Sequence, residues 1–596
     1  MDFIDSISLV DSVPQWFTNW ITAIWLVGIG VAAGITLLFL IWLLGWGLSR
    51  VPGLGNLQEN RSSFHLAAII LAVIFFGALA GLQFAEINSA ETVDSESSFR
   101  SLVGLLLPLA IFCWLSALAV LVIVQKRTVE EVPNAVREGV LWPIFNIAIA
   151  MAVLGIISTL FVREPSAIFS SLERLTATGK TTFGPFEIPA NESENSFAVL
   201  DQYEMPVPMK RSELVGLTIR SDQRVVIAPK QGNDLLTVQF DVAANEEYPW
   251  VKGLMWTKGV VVRNVFDTED IEHLYVRNYG SDIAHVEIDV TTRPQFPEAM
   301  TIPIVAISLV ILFLVYIVHR ALMPKVSAVA LATVKSEVNQ PLFIAMMLIG
   351  ITALIVFIFV PYHTFGEDIK VLKDTGMTLV MIFGIILAVW SASTSVAEEI
   401  EGRTALTVLS KPLTRRSFVI GKFLGISWTV ALLFLVFGLV LVFVVAYKPI
   451  YDAKEEIKDE MIYASWQVCH SEMISTMPGL ALAFMETVIL AALSVAISTR
   501  VPILGNFLIC FTIYVLGHLS PLIVQSSIGQ FEIVAFVGQF IATVFPNLEH
   551  FNIQAAIAGG QEVPYDYLGW ALVYCFIYSV IAMLLALISF EDRDVA

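Results

Sequence analysis

Eleven runs of 18–24 residues in this chain are almost wholly apolar. They cover residues 23–44, 66–84, 102–124, 140–162, 301–318, 342–360, 376–396, 423–446, 478–498, 502–524 and 568–589. About 20 such residues, wound as a helix, cross the hydrocarbon core of a bilayer. Water is absent at that depth, so each run must satisfy its own backbone N–H and C=O groups, and a helix does this. The predicted fold class is therefore an α-helical polytopic membrane protein with about 11 spans. Composition agrees: 57% of the 596 residues are hydrophobic and 15% are charged.

Charge sets the expected orientation. Arg50 and Arg61 follow the first run, and Lys126 and Arg127 follow the third. The loop between the second and third carries Glu86, Glu91, Asp94 and Glu96 instead. Basic residues thus mark alternate loops, which places the N-terminus and residues 163–300 outside the cytoplasm and the C-terminus inside. The expected location is the plasma (inner) membrane. Residues 1–20 hold Asp2, Asp5 and Asp11 with no Lys or Arg, the reverse of a basic leader. The net charge of −19 argues against a nucleic-acid partner. Cys113, Cys510 and Cys575 lie in apolar runs and Cys469 in a polar loop, a pattern that suggests neither a disulfide framework nor a zinc site. Gly30 and Gly34, and Gly77 and Gly81, have the spacing that lets helix backbones approach closely.

Four spans make an N-terminal bundle over residues 1–162, and a fifth occupies 301–323. Between them, residues 163–300 differ in kind. The segment is polar, broken by Pro and Gly, and carries short alternating runs at 235–242, 260–265, 274–276 and 284–290. Val286, Ile288 and Val290 alternate with Glu287 and Asp289, the period of a half-buried strand. Residues 278–282, Asn-Tyr-Gly-Ser-Asp, read as a turn. A mostly β, sandwich-like domain is expected. Thr178-Gly179-Lys180-Thr181 ends like a phosphate-binding loop, but Arg174 stands where the first glycine belongs and no apolar strand precedes it. Asn191-Glu192-Ser193 matches a glycosylation acceptor, a weak three-residue signal.

Residues 324–341 follow the fifth span. Val326, Val329, Ala330, Val334 and Val338 recur at helical spacing, opposite Lys325, Lys335 and Glu337. This reads as an amphipathic helix in the membrane interface, or as a linker helix packed on protein. Residues 398–416 join two spans. Ala405, Leu406 and Leu409 share a helical face over 398–410, carboxylates crowd the first turn, and Lys411-Pro412 ends it. Arg415, Arg416 and Lys422 stand at the mouth of the next span. By physics alone this is a basic loop between two spans.

The residue order resembles that of ABC-2 type transporter permeases. The pattern comprises Glu399, Glu401, Gly402, Thr404, Leu406, Leu409, Ser410, Pro412, Arg415, Gly421 and Lys422. Arg403 departs from it, since many relatives have the glycine and threonine adjacent. The resemblance covers roughly residues 324–596, with 324–341 as the elbow helix that opens the six-helix core. It implies that 398–416, from Glu398 to Arg415, is a coupling segment docking on a separate ATPase subunit. It also implies a permease homo- or heterodimer in the bilayer, with ATP and Mg on the partner ATPase and no cofactor on this chain. Export is the family habit. Residues 531–545 are apolar but too short to span, and resemble the re-entrant or interfacial helix that the family often has before its last span.

Glu486 and His518 lie deep within spans. Charge there is costly, so such groups face a bundle interior or an aqueous path. A structural role, a protonated Glu486 bonded to a neighbouring helix, is the other reading. Nothing suggests a catalytic group or a metal site. A membrane-anchored receptor or scaffold working through residues 163–300 is the alternative function.

Overall fold

The computed structural model describes residues 13–51, 55–56, 61–89, 95–175, 177–190, 202–229, 240–251, 256–257, 260–261, 266, 270–360, 367–399, 413–456, 464–525, 536, 539–540 and 544–591. The chain divides into two compact units, one comprising residues 1–9 with 162–301 and the other residues 10–161 with 302–596.

The second unit is helical. Among the described residues, nine helices are long and apolar enough to cross a membrane. They contain the helices α1 (Gln15–Leu48), α2 (Arg61–Ser89), α5 (Leu141–Ser158), α7 (Thr301–Leu322), α9 (Pro341–Val356), α10 (Asp368–Ala392), α11 (Arg415–Glu456), α12 (Trp466–Ser498) and α15 (Tyr565–Glu591). The third and tenth apolar runs are also helical, as α3 (Ser95–Val124) and α13 (Ile503–Gln525). After Val124 the chain turns by 87° into α4 (Lys126–Glu138). The chain is thus a helical membrane protein that carries a β domain.

Several elements differ from the sequence reading. The stretch between the apolar runs 423–446 and 478–498, which reads as a polar loop around Cys469, is partly helix, because α11 runs on to Glu456 and α12 starts at Trp466. Cys469 is accordingly buried on α12 rather than free in a loop. Gly30 and Gly34 do allow close packing: a Cβ on either would meet residues 302–309 of α7 at 2.8–3.1 Å. Among the described residues, a Cβ on Gly77 or Gly81 would meet no atom within 4 Å. Gly28, outside both pairs, packs on Gly155, where a Cβ would lie 2.6 Å from the Gly155 Cα.

The N-terminal helices dock on the later ones. The Trp20 indole N–H donates to the Phe443 carbonyl at 3.3 Å, and the Asn19 amide donates to the Ala464 carbonyl at 2.8 Å. The main apolar core lies among α9–α12 and α15, and includes Leu354, Leu372, Val380, Phe418, Leu433, Phe437 and Phe590. The last helix is tied at its C-terminal end by two arginines. The Arg415 guanidinium donates to the Glu591 carbonyl at 3.0 Å, and Arg500 donates to the Ser589 carbonyl at 2.8 Å. Cations suit that end of a helix, where carbonyls lack partners and the dipole is negative.

The first unit opens with α6 (Pro165–Arg174) and continues as a β sandwich. One antiparallel sheet has the order β1 (Lys180–Ile188), β10 (Ala284–Thr292), β3 (Leu214–Ser221), β6 (Glu246–Val251). The other has the order β2 (Tyr203–Lys210), β9 (Asp270–Asn278), β4 (Val225–Ala228), β5 (Phe240–Val242). Short strands β7 (Trp256–Thr257) and β8 (Val260–Val261) pair separately. Alternate residues face a shared core, among them Val207, Ile219, Ile227, Leu274 and Ile288, as sheets with one buried face require. Asn278 holds the expected turn: its side chain donates to the carbonyls of Asp282, Ile188 and Pro189 and accepts from Gly280 N–H. Lys180, in the phosphate-loop lookalike, lies on a strand and pairs with Asp289 at 3.1 Å. Asn191-Glu192-Ser193 lies outside the described residues.

Candidate functional site

Helix α10 continues past Ala392 through a wide, π-type turn, Ser393–Glu398, that brings Glu399 to the start of residues 400–412. Helix α11 resumes the chain at Arg415. Glu401, Gly402, Thr404, Leu406, Leu409, Ser410 and Pro412 fall outside the described residues, as does most of 531–545. What the structure gives is the frame on which the segment hangs.

That frame is clamped by charge. Lys422 Nζ on α11 donates to Glu399 Oε1 at 2.6 Å. The lysine side chain is 8% exposed and the glutamate 32%. A third helix, α8 (Pro324–Val338), completes the junction. Its Val326, Val329, Ala330, Thr333 and Val334 are buried, so its apolar face packs on protein. Gly421 and Gly425 make this possible. A Cβ at Gly421 would stand 2.6 Å from Val329 Cβ, and one at Gly425 2.6 Å from Thr333 Cβ. Any larger residue forces α8 and α11 apart.

Glu337 sits on the face of α8 buried by this contact, at 1% exposure, and not on a solvated face opposite the valines. It lies one turn beyond Thr333 and Val334, which fixes that placement. Around it stand Ser391, Thr394, Lys422 and Glu399. Burial pushes its carboxyl up to about 7, the Glu399 charge adds to this, and Lys422 with the two hydroxyls opposes it. Its Oε2 has no hydrogen-bond partner among the described residues. Glu337 thus adds a second carboxyl group near Lys422, whose ion pair is with Glu399. The Trp390 indole donates to Gln340 Oε1 at 2.9 Å and ties α10 to the chain just after α8.

Beside the junction lies a buried polar knot. The Asn506 amide nitrogen is 2.8 Å from the hydroxyls of Ser393 and Ser494 and 2.9 Å from that of Ser498. Its two N–H groups are shared among three oxygens from α12 and the π-type turn. Such a knot fixes the register of the helices that supply it, because any slip leaves buried polar groups without partners.

Glu486 and His518 come together. Glu486 is fully buried on α12, and its Oε1 lies 3.5 Å from His518 Nε2 on α13. His518 Nδ1 is 3.0 Å from the Tyr514 carbonyl, and the His518 and Tyr514 rings lie tilted at 51° with centroids 4.6 Å apart. Neither Glu486 oxygen makes a hydrogen bond within the described residues.

Two buried lysines at the opposite ends of α10 and α11 were not anticipated. Lys373, at 0% exposure, pairs with Glu472 and donates to Ser475 Oγ at 2.7 Å. Lys448, at 1%, lies 2.8 Å from Asp452 and 3.8 Å from Asp368. Between these ends, Thr378 donates to Gln554 Oε1 at 2.9 Å, bringing α14 (Gln554–Ala558) onto α10. Among the described residues, no group of three or more His, Cys, Asp or Glu could hold a metal ion.

No protein-family model matches the chain, and no curated protein matches it.

Proposed function

We propose that this chain is the transmembrane subunit of an ABC-2 type transporter, with residues 324–596 as its permease core and 11 spans in all. The observation that carries the reading is the junction at residues 399–422. The motif that resembles the family's coupling segment leaves the bundle at Glu399 and re-enters at Arg415, and Lys422 ties the re-entering helix to the leaving one. A push on the segment would move α10 and α11 together, with α8 packed on α11, as a two-state element requires.

On this reading a separate ATPase docks on Leu406 and Leu409, flanked by Glu398, Glu399 and Glu401. Closure of the ATPase pair on ATP moves the segment, and substrate crosses between two permease cores, outward. The N-terminus and residues 163–300 are extracytoplasmic and the C-terminus cytoplasmic, as the charge of alternate loops supports. Co-purification from native membrane tests the reading: an ATPase with a complete phosphate-binding loop is expected with the chain. Its absence would favour a receptor or scaffold acting through the β domain.

A further inference from the structure

We propose that the helical unit carries a binding site for one anionic glycerophospholipid, built around α4. The inference rests on two adjoining cavities and is independent of any ATPase partner. The first is a groove of about 410 Å³ between α1, α4, α5 and α7, walled by Leu38, Trp42, Val136, Phe145 and Phe313. Three of its walls are helices long and apolar enough to span a membrane, so it lies beside hydrocarbon. Among the described residues, Arg137 is the single charged residue lining it. The second is a recess of about 860 Å³ lined by Lys126, Arg127, Arg320 and His65, together with the carboxylates Glu130 and Glu131.

Thr128, Val132 and Ile317 line both cavities, so the two adjoin along these residues. The 87° turn at Gln125 swings α4 across the end of α3 and sets its charged first turn over the recess. Glu131 is engaged by Arg127 at 2.9 Å. Among the described residues, the recess cations Lys126 and Arg320 have no carboxylate partner. The cations therefore outnumber the free acids.

An apolar slot beside a cationic recess fits one amphiphile: acyl chain in the slot, phosphate in the recess. A zwitterionic headgroup brings its own cation to the same place and gains less. Basic pockets between spans recognise anionic headgroups in this way, and each lysine or arginine near the surface contributes roughly fivefold in affinity.

The test uses full-length protein, stripped of lipid in detergent, with native mass spectrometry of retained lipid. Dioleoyl-phosphatidylglycerol and dioleoyl-phosphatidylcholine are supplied at equal concentration, with inorganic phosphate as a competitor. The wild type is expected to retain phosphatidylglycerol about tenfold over phosphatidylcholine. Lys126→Gln with Arg320→Gln should reduce that retention by on the order of twentyfold. Lys126→Arg with Arg320→Lys should keep most of it, which separates lost charge from lost folding. Leu38→Trp, which fills the slot, should lower retention with the recess intact. Equal retention of both lipids by the wild type would overturn the proposal. So would undiminished preference in the double glutamine variant, or displacement of phosphatidylglycerol by inorganic phosphate at equal concentration, which would make the recess a free-anion site.

Discussion

Lys422 and Glu399 stand 2.6 Å apart across the gap that residues 400–412 must bridge, and Glu337 is buried near the same lysine on a third helix. One cation thus faces two carboxyl groups. Replacing Lys422 with Met leaves both without their counter-charge in a mostly buried site. Replacing Glu399 with Gln leaves Lys422 still facing Glu337. The lysine variant should therefore be the less stable, by on the order of 2 kcal/mol, and a double-mutant cycle should show coupling of about 1 kcal/mol or more. Thermal unfolding of the purified variants measures both.

The protonation of Glu337 sets a pH dependence. Its folded carboxyl is raised from 4.5 to about 7, chiefly by burial. A raised carboxyl binds its proton more tightly when folded, so stability is full below 4.5 and falls as pH rises toward 7. The melting temperature of the wild type should drop between pH 5 and 7.5. Glu337→Gln should flatten that slope and be the more stable form at pH 8. An unchanged slope in the variant would move the titration to another group.

Gly421 and Gly425 allow α8 to lie against α11. Gly421→Leu should separate them and cost about 1–3 kcal/mol by overpacking. Insertion should survive, because the spans themselves are unchanged. The measurement is thermal stability set beside membrane abundance.

The β sandwich has a core of its own and is expected to fold in isolation as residues 163–297, with a cooperative melt. His285 pairs with Asp222 at 2.7 Å on its exposed surface. The pairing raises the histidine and lowers the aspartate. The histidine contribution is present below its unfolded value of 6.5 and is lost as pH rises through the higher folded value. The aspartate contribution is present above 3.8 and is lost as pH falls through the lower folded value. Stability of the isolated domain should thus decline on both sides of a maximum, and His285→Asn should remove the decline on the alkaline side.

The helical runs and the β domain could be read from the sequence because both patterns follow directly from burial. Apolar length marks a helix at membrane depth, and alternation at residues 286–290 marks a strand with one covered face. Glu486 was legible for the same reason, since a carboxyl in an apolar run has to face other protein. Lys373 was not. Its helix begins at Asp368, before the apolar run at 376, so the lysine reads as a flanking cation although α12 covers it. Glu337 was assigned to a polar face, but the approach of α8 to α11 at Gly421 buries that side of the helix. Which face a neighbour covers depends on tertiary packing, and one helix's periodicity does not contain it. Arg415 was expected at the mouth of a span. Its partners, the carbonyls of Phe590 and Glu591, lie 175–176 residues away in sequence and could not be inferred from local pattern.

The central claim is that residues 398–416 hold an ATPase, and paired replacement of Leu406 and Leu409 with Asp tests it most directly. A carboxylate set into an apolar contact costs at least a few kcal/mol, on the order of a hundredfold in affinity. The double variant should reach the membrane in normal amount, because the change lies outside the spans. It should fail to co-purify an ATPase that the wild type retains, and Lys422 and Glu399 should still pair. A double variant that inserts normally and holds its ATPase at wild-type affinity would contradict the account, as would a wild type that holds none.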